Sequence, residues 1–83
     1  MQYIKNHYKF IVSHYSMTPK KISVVIPALN EELNIGRVLD RVQEAFTKYN
    51  LHGEIIVVEA SSTDKTVEIA QAHGARVFTV PKI

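Results

Sequence analysis

Two short polar stretches hold the residues of this chain best suited to bind a ligand: Pro27-Ala28-Leu29-Asn30-Glu31-Glu32 and Glu59-Ala60-Ser61-Ser62-Thr63-Asp64. Both follow apolar runs that read as strands of a parallel sheet, and in such sheets ligands bind outside the carboxyl ends of the strands, where helix N-termini also point their free N–H groups. First-turn acids also suit a helix start, where free N–H groups favour negative charge, so Glu31, Glu32 and Asp64 each have a purely structural reading as well. Neither stretch is a G-x-G-x-x-G or a G-x-x-x-x-G-K-[ST], and a chain with three glycines lacks the flexible backbone those motifs wrap around phosphates. Dinucleotide and P-loop binding are not expected on that ground. His7, His14, His52 and His73 are scattered, without the i, i+4 spacing of a helical ligand pair, and read as surface or loop residues. With no cysteine and no Asp-x-Asp, neither a metal ligand set nor a general base is assigned within the chain.

These two stretches are loops because of what flanks them. Ile22-Ser23-Val24-Val25-Ile26 is a β-branched apolar run closed by Pro27, expected as a strand buried on both faces in a parallel sheet. Ile35, Val38, Leu39, Val42, Ala45, Phe46 and Tyr49 recur at three- and four-residue intervals, which predicts a helix of about 15 residues, capped by Asn30 or Asn34 and stopped by Asn50 to Gly53. The unit repeats. Ile55-Ile56-Val57-Val58 predicts a second strand, Val67, Ile69, Ala70 and Ala72 a second helix ending at Gly74, and Arg76 to Val80 a third strand ended by Pro81. Strand, helix, strand, helix, strand with short links is the βαβαβ pattern of a three-stranded parallel α/β sheet, half of a doubly wound domain. In such sheets ligands bind beyond the carboxyl ends of the strands, where both polar loops lie.

Composition sets bounds on this unit. A chain of 83 residues, 46% hydrophobic and 22% charged, is globular and has room for one core. Residues 1–21 carry four lysines and no acid, whereas residues 22–83 hold six bases against eight acids, so the basic excess sits in a leader and not on the folded unit. Nucleic-acid binding is therefore not expected. In the leader, Ile4, Tyr8, Ile11, Val12 and Tyr15 share one helical face, which predicts a helix or disordered arm that packs on the domain or has no role, with contact to an anionic membrane through residues 1–15 as the alternative for a basic amphipathic helix. Its apolar run is too short for a membrane span or a secretory signal, and the location expected is cytoplasmic, at the membrane surface if the leader binds there. Met17 is an alternative start. The division expected is a leader over 1–21 and a folded half-domain over 22–83.

The strings ISVVIPALNEELNIGRVLDRV, EIIVVEASSTDKTVEIA and GARV resemble the N-terminal portion of the family 2 glycosyltransferases, which have the GT-A fold. The resemblance covers about residues 22–80. It implies transfer of a sugar from a nucleotide-diphosphate donor, often with Mg²⁺ or Mn²⁺, to a lipid, saccharide or small-molecule acceptor. It also places Pro27 and Leu29 beside the nucleoside and makes Glu31 a hydroxyl or base contact. In the second loop similar enzymes usually read Asp-Asp-Gly-Ser-Thr-Asp-Gly-Thr. Here Ser62, Thr63, Asp64 and Thr66 match, Ala60 replaces an acid that in relatives contacts the base, and Glu59 stands one methylene longer than the usual Asp. Both Glu59 and Ala60 are counted with the nucleotide-sugar-binding residues on that basis.

In the family the metal-binding Asp-x-Asp and the catalytic base lie further along than Ile83, so these residues alone are expected to bind a nucleotide sugar weakly and to be incomplete as an enzyme. The alternative is a non-catalytic interaction module using the basic leader or an open sheet edge. A response-regulator receiver fits worse, because the strand ends give Pro27 and Glu59 where it needs aspartates. The resembling fold has strand order 3-2-1, which leaves the first strand, residues 22–26, with one apolar edge unpaired and poised for self-association. On the same reading the leader is expected to be dispensable for folding.

Overall fold

The computed structural model describes the backbone of residues 2–4, 8–14 and 21–82, with side chains from residue 21 onward. Its elements are β1 (Gln2–Ile4), β2 (Tyr8–His14), β3 (Lys21–Ala28), α1 (Ile35–Lys48), β4 (His52–Glu59), α2 (Thr66–Ala72) and β5 (Arg76–Thr79). They form one sheet in the order β1-β2-β3-β4-β5. β3, β4 and β5 are parallel, in the βαβαβ arrangement the sequence predicts.

Both crossovers step the same way along the sheet, so a common hand puts α1 and α2 on one face. The core lies there: Val24, Ile26 and Ala28 of β3 and Ile55 and Val57 of β4 are buried with Ile35, Val38, Leu39, Val42 and Phe46 of α1 and Ala70 of α2. The alternate residues Val25, Ile56 and Val58 are only half-buried and Phe78 is exposed. This corrects the expectation of strands buried on both faces. A continuous apolar run is compatible with either one or two covered faces, and among the described residues only one is covered. Gly53 is required for this packing, since a Cβ there would lie 2.3 Å from the ring of Phe46. The helix ends follow the sequence. After α1, Asn50 takes a positive φ of 52° and Leu51 N–H donates to the Phe46 carbonyl at 2.9 Å, and after α2, Gly74 does the same work at φ 92° with Ala75 N–H reaching the Ala70 carbonyl at 3.1 Å. His73 is more than a loop residue: its Nδ1 lies 2.8 Å from Asp40 Oδ1 and joins the two helices.

Three further expectations are corrected. Ile4, Tyr8, Ile11 and Val12 lie in strands and not on a helix, while Tyr15 and Met17 lie outside the described residues. β2 pairs antiparallel with β3, from His14 opposite Ile22 to Ile11 opposite Val25, so the edge expected to be open is occupied and self-association through it loses its basis. The physical reason is that Tyr8 to Val12 are rich in aromatic and β-branched residues, and an unpaired row of β3 amides and carbonyls rewards a strand more than a solvated helix. The reading of membrane contact over residues 1–15 rested on a helix, and where these residues are described they form strands. Finally, Pro27 lies inside β3 opposite Val58 and does not close it. The β2 ladder stops at Val25, so a residue without an N–H is accommodated just beyond it. No helix among the described residues is long and apolar enough to cross a membrane.

The pairing of β2 makes the N-terminal segment part of the fold. A chain beginning at Met17 should melt lower by more than the roughly 4–8 °C that 1 kcal/mol represents in a domain of this size, and should associate in sedimentation as its concentration rises. A truncated monomer melting within a few degrees of the full chain would show that β2 contributes nothing.

Candidate functional site

The β3–β4 and β4–β5 ladders end together, at Ala28, Glu59 and Thr79. Beyond that line the chain turns into the two polar loops, and their amides need partners. Ala60 N–H still reaches back to the Ala28 carbonyl at 3.0 Å and Val80 N–H to the Glu59 carbonyl at 2.9 Å. Past those bonds the first loop depends on side chains of the second. Asn30 N–H donates to Ser62 Oγ at 3.0 Å, Glu31 N–H to Thr66 Oγ1 at 2.7 Å, and Glu32 N–H to Asp64 Oδ2 at 3.2 Å. Asn30 reciprocates: its Oδ1 accepts Thr63 N–H at 2.8 Å and the Thr63 hydroxyl at 3.4 Å. The loops are thus stitched along their length by residues more than 30 positions apart in sequence.

Two residues in the stitched region have left-handed backbone, Asn30 at φ 52° and Ser61 at φ 57°. Asn adopts that conformation readily, but for Ser it costs about 1–2 kcal/mol, and Ser61 stands where the resembling motif has glycine. Its hydroxyl donates to the Val80 carbonyl at 2.9 Å, which ties the second loop to the end of β5 and offsets part of that strain.

Glu59 sits beneath this turn. Only 2% of it is exposed, and its Oε1 accepts Ser62 N–H at 2.6 Å. Its carboxyl is held below the ordinary range chiefly by a hydrogen bond from the Thr79 side chain and then by the Ser62 N–H, which together outweigh the opposing cost of desolvation. For Asp64 desolvation is the largest single influence and raises the value, but hydrogen bonds from the Thr66 hydroxyl, the Thr66 N–H and the Glu32 N–H prevail, so this carboxyl is also lowered. Asp64 does start α2, as its sequence position suggests, by accepting Thr66 N–H at 2.9 Å. Glu31 and Glu32 precede the first turn of α1, which begins at Ile35, has no acid in its first turn, and has Asn34 at its N-cap without a side-chain bond. The helix-start reading of the two glutamates is therefore corrected: they belong to the turn that leads into the helix.

Against the stitched loops lies an open, mainly apolar concavity of about 370 Å³ lined by Pro27, Ala28, Leu29, Val58, Ala60 and Val80. Leu29 and Val80 are 43% and 37% exposed, large apolar groups left accessible at its mouth. The structure thus brings together Pro27, Leu29 and Ala60 as one wall, sets Glu31 half-buried in the adjoining turn, and puts Glu59 below the surface with its carboxylate engaged. Concavities of about 370 and 420 Å³ also lie at the amino end of the sheet, around Lys21–Ser23 with His52–Glu54, and around Phe46 and Asn50. In open parallel sheets it is the carboxyl end that takes ligands. Val80 and Thr79 were missed by sequence reasoning, because the third strand carries no polar loop motif to flag its end. No three His, Cys, Asp or Glu among the described residues converge as metal ligands must, so the residues described do not fit the divalent ion implied by the resemblance.

Residues 23–82 match the family model for glycosyl transferase family 2. The chain belongs to that family. It is 46% identical over 59 residues to a glucosyl-3-phosphoglycerate synthase of Petrotoga mobilis, covering 70% of this chain and 18% of that one. It is 45% identical over 57 residues to the low-salt glycan biosynthesis hexosyltransferase Agl6 of Haloferax volcanii, covering 69% of this chain and 14% of that one. A 4,4'-diaponeurosporenoate glycosyltransferase of Staphylococcus haemolyticus is 38% identical over 63 residues, covering 76% of this chain and 16% of that one. The chain therefore spans less than a fifth of the length of these curated relatives. No solved structure matches it.

The two lowered carboxyls set a pH dependence with a definite sign. A folded-state value below the unfolded one contributes stability that is present above the ordinary carboxylate range and lost as pH falls through the folded value. The melting temperature should stay level from pH 7 to about 5 and fall below about pH 4. Replacing Glu59 by Gln should lower stability at neutral pH and flatten the acid limb. Parallel pH profiles for Glu59→Gln and the unaltered chain would contradict an ionised Glu59 beneath the loop.

Proposed function

We propose that this chain forms the donor-nucleotide part of a glycosyltransferase, holding the nucleoside diphosphate of a sugar donor between the Pro27–Glu32 and Glu59–Asp64 loops while the sugar is transferred to an acceptor. The observation that carries the reading is the apolar concavity at the carboxyl end of the sheet, walled by residues of both loops. Pro27, Leu29 and Ala60 supply an apolar surface for the base, with Val58 and Val80 completing it. Glu31 accepts hydrogen bonds from the ribose hydroxyls, a role suited to a carboxylate. Glu59 acts at one remove, by shaping the second loop through Ser62 and Thr79.

The relatives support the donor side of the reaction in particular. Their names point to unlike reactions, glucosyl-3-phosphoglycerate synthesis, hexosyl transfer in glycan biosynthesis and glycosyl transfer with 4,4'-diaponeurosporenoate, yet all share the stretch present here. What the shared stretch contributes is then what those reactions have in common, the activated sugar. Ala60 offers no side-chain hydrogen bond to a base, and its N–H is already donated to Ala28, so binding rests on apolar contact and Glu31. Affinity in about the millimolar range is expected.

Titration calorimetry with the diphosphates of uridine, guanosine, adenosine and thymidine tests this. At least one should bind, and Glu31→Gln should weaken it by roughly 1–3 kcal/mol, the cost of a charge-assisted hydrogen bond. Failure of all four to bind at millimolar concentration would overturn the reading, and an unchanged constant in Glu31→Gln would remove Glu31 from it.

A further inference from the structure

We propose that Thr66 and Asp64 are positioning residues of the nucleotide site, a latch that fixes the backbone of Glu31 and Glu32 before any ligand arrives. The proposal rests on the donor-nucleotide reading for its functional meaning, but the latch itself is a property of the free chain.

Thr66 is fully buried at the first position of α2, an unusual place for a hydroxyl unless it is used. It is used twice. The hydroxyl donates its one proton to Asp64 Oδ1, which leaves its oxygen free to accept, and the group aimed at it is the Glu31 N–H at 2.7 Å. Asp64 completes the arrangement. Its Oδ1 also takes Thr66 N–H at 2.9 Å, and its Oδ2 takes Glu32 N–H at 3.2 Å. Two successive amides of the first loop are thus held by two side chains of the second, and the direction in which Glu31 leaves the backbone is set by those bonds.

A helix-start role alone would need only the bond from Asp64 to the Thr66 N–H. The bonds to Glu31 and Glu32 cross 35 and 32 residues of sequence to the other wall of the site, and a helix start does not require them. Glu31 N–H lies in a turn that precedes α1, outside the strand ladders, and its 2.7 Å bond to Thr66 Oγ1 is shorter than the bonds of Asn30 N–H and Glu32 N–H to the second loop, at 3.0 and 3.2 Å. An ionised Asp64 is the form that can accept at both oxygens, and the hydrogen bonds around it hold it ionised. The latch chemistry is specific to a hydroxyl: serine can reproduce it, whereas valine, of nearly the same shape, cannot.

The test combines calorimetry with amide hydrogen exchange on the full chain and on Thr66→Val, Thr66→Ser and Asp64→Asn, using uridine diphosphate or whichever of the four diphosphates binds the unaltered chain best. Thr66→Val should weaken binding about tenfold and speed exchange at the Glu31 amide by a similar factor, while Thr66→Ser stays within about twofold on both. Asp64→Asn should release the Glu32 amide and leave the Glu31 amide protected, which keeps the proposal testable if Thr66→Val does not fold. Unchanged exchange at Glu31 in Thr66→Val, or at Glu32 in Asp64→Asn, would overturn the latch. Altered exchange with unaltered affinity would overturn its positioning role. If the unaltered chain binds no diphosphate, the donor-nucleotide reading falls, and exchange at Glu31 and Glu32 still decides the latch.

Discussion

The parallel ladders end in register at Ala28, Glu59 and Thr79, and past the amides of Ala60 and Val80, which still reach strand carbonyls, the loop amides must find acceptors outside the sheet. The amides of Glu31 and Glu32 are half-buried, where an unpaired N–H costs about 1–3 kcal/mol, so their pairing is the constraint around which the site is arranged. The solution is reciprocal. The second loop supplies Ser62, Asp64 and Thr66 as acceptors for the first, and the first returns Asn30 to Thr63. Each of these bonds joins one loop to the other, while the second loop is held further by Glu59 and Val80.

The seam holds only if the strands beneath it are in fixed register, and that register comes from the core. Ile26 and Val57 are wholly buried in one core with Ile35, Val38 and Leu39 of α1, and a slip of one residue would turn these strand side chains to the opposite face. Gly53 and Phe46 lock the far end of the same strand to the same helix. At the near end Glu59 continues the inward-facing series of Ile55 and Val57 with a carboxylate, and Ser62 and Thr79 satisfy it. A core position has thereby been turned into a support for the turn above it. The left-handed Ser61 is the local cost of that turn, and its bond to Val80 joins the third strand end to the other two.

Much of this was legible in the sequence because it is local. The β-branched runs, the three- and four-residue spacing in α1, Asn50 and Gly74 as stop residues, and the strand order are set by neighbours along the chain or by the handedness of short crossovers. Pro27, Leu29 and Ala60 entered as candidates through the resemblance to family 2 glycosyltransferases, and the structure sets them together along one concavity. What escaped was non-local. The spacing of Ile4, Tyr8, Ile11 and Val12 fits a helix, and only the vacant edge of β3 makes Tyr8–His14 a strand. Thr66 reads as one more helix residue, and its bond to Glu31 depends on two loops meeting in space. An apolar run in β3 could not show that helices cover only one of its faces.

The central claim is that the two loops act as one site for a nucleoside diphosphate. Nuclear magnetic resonance titration of the labelled chain with uridine diphosphate and its guanosine, adenosine and thymidine counterparts tests it most directly. The account predicts that amide shifts cluster at Leu29, Asn30 and Glu31 in one loop, at Ala60 and Ser61 in the other, and at Val80, all saturating along a single binding curve. Shifts confined to one loop, shifts centred on the amino end of the sheet around His52 and Gly53, or no shifts with any of the four would contradict it.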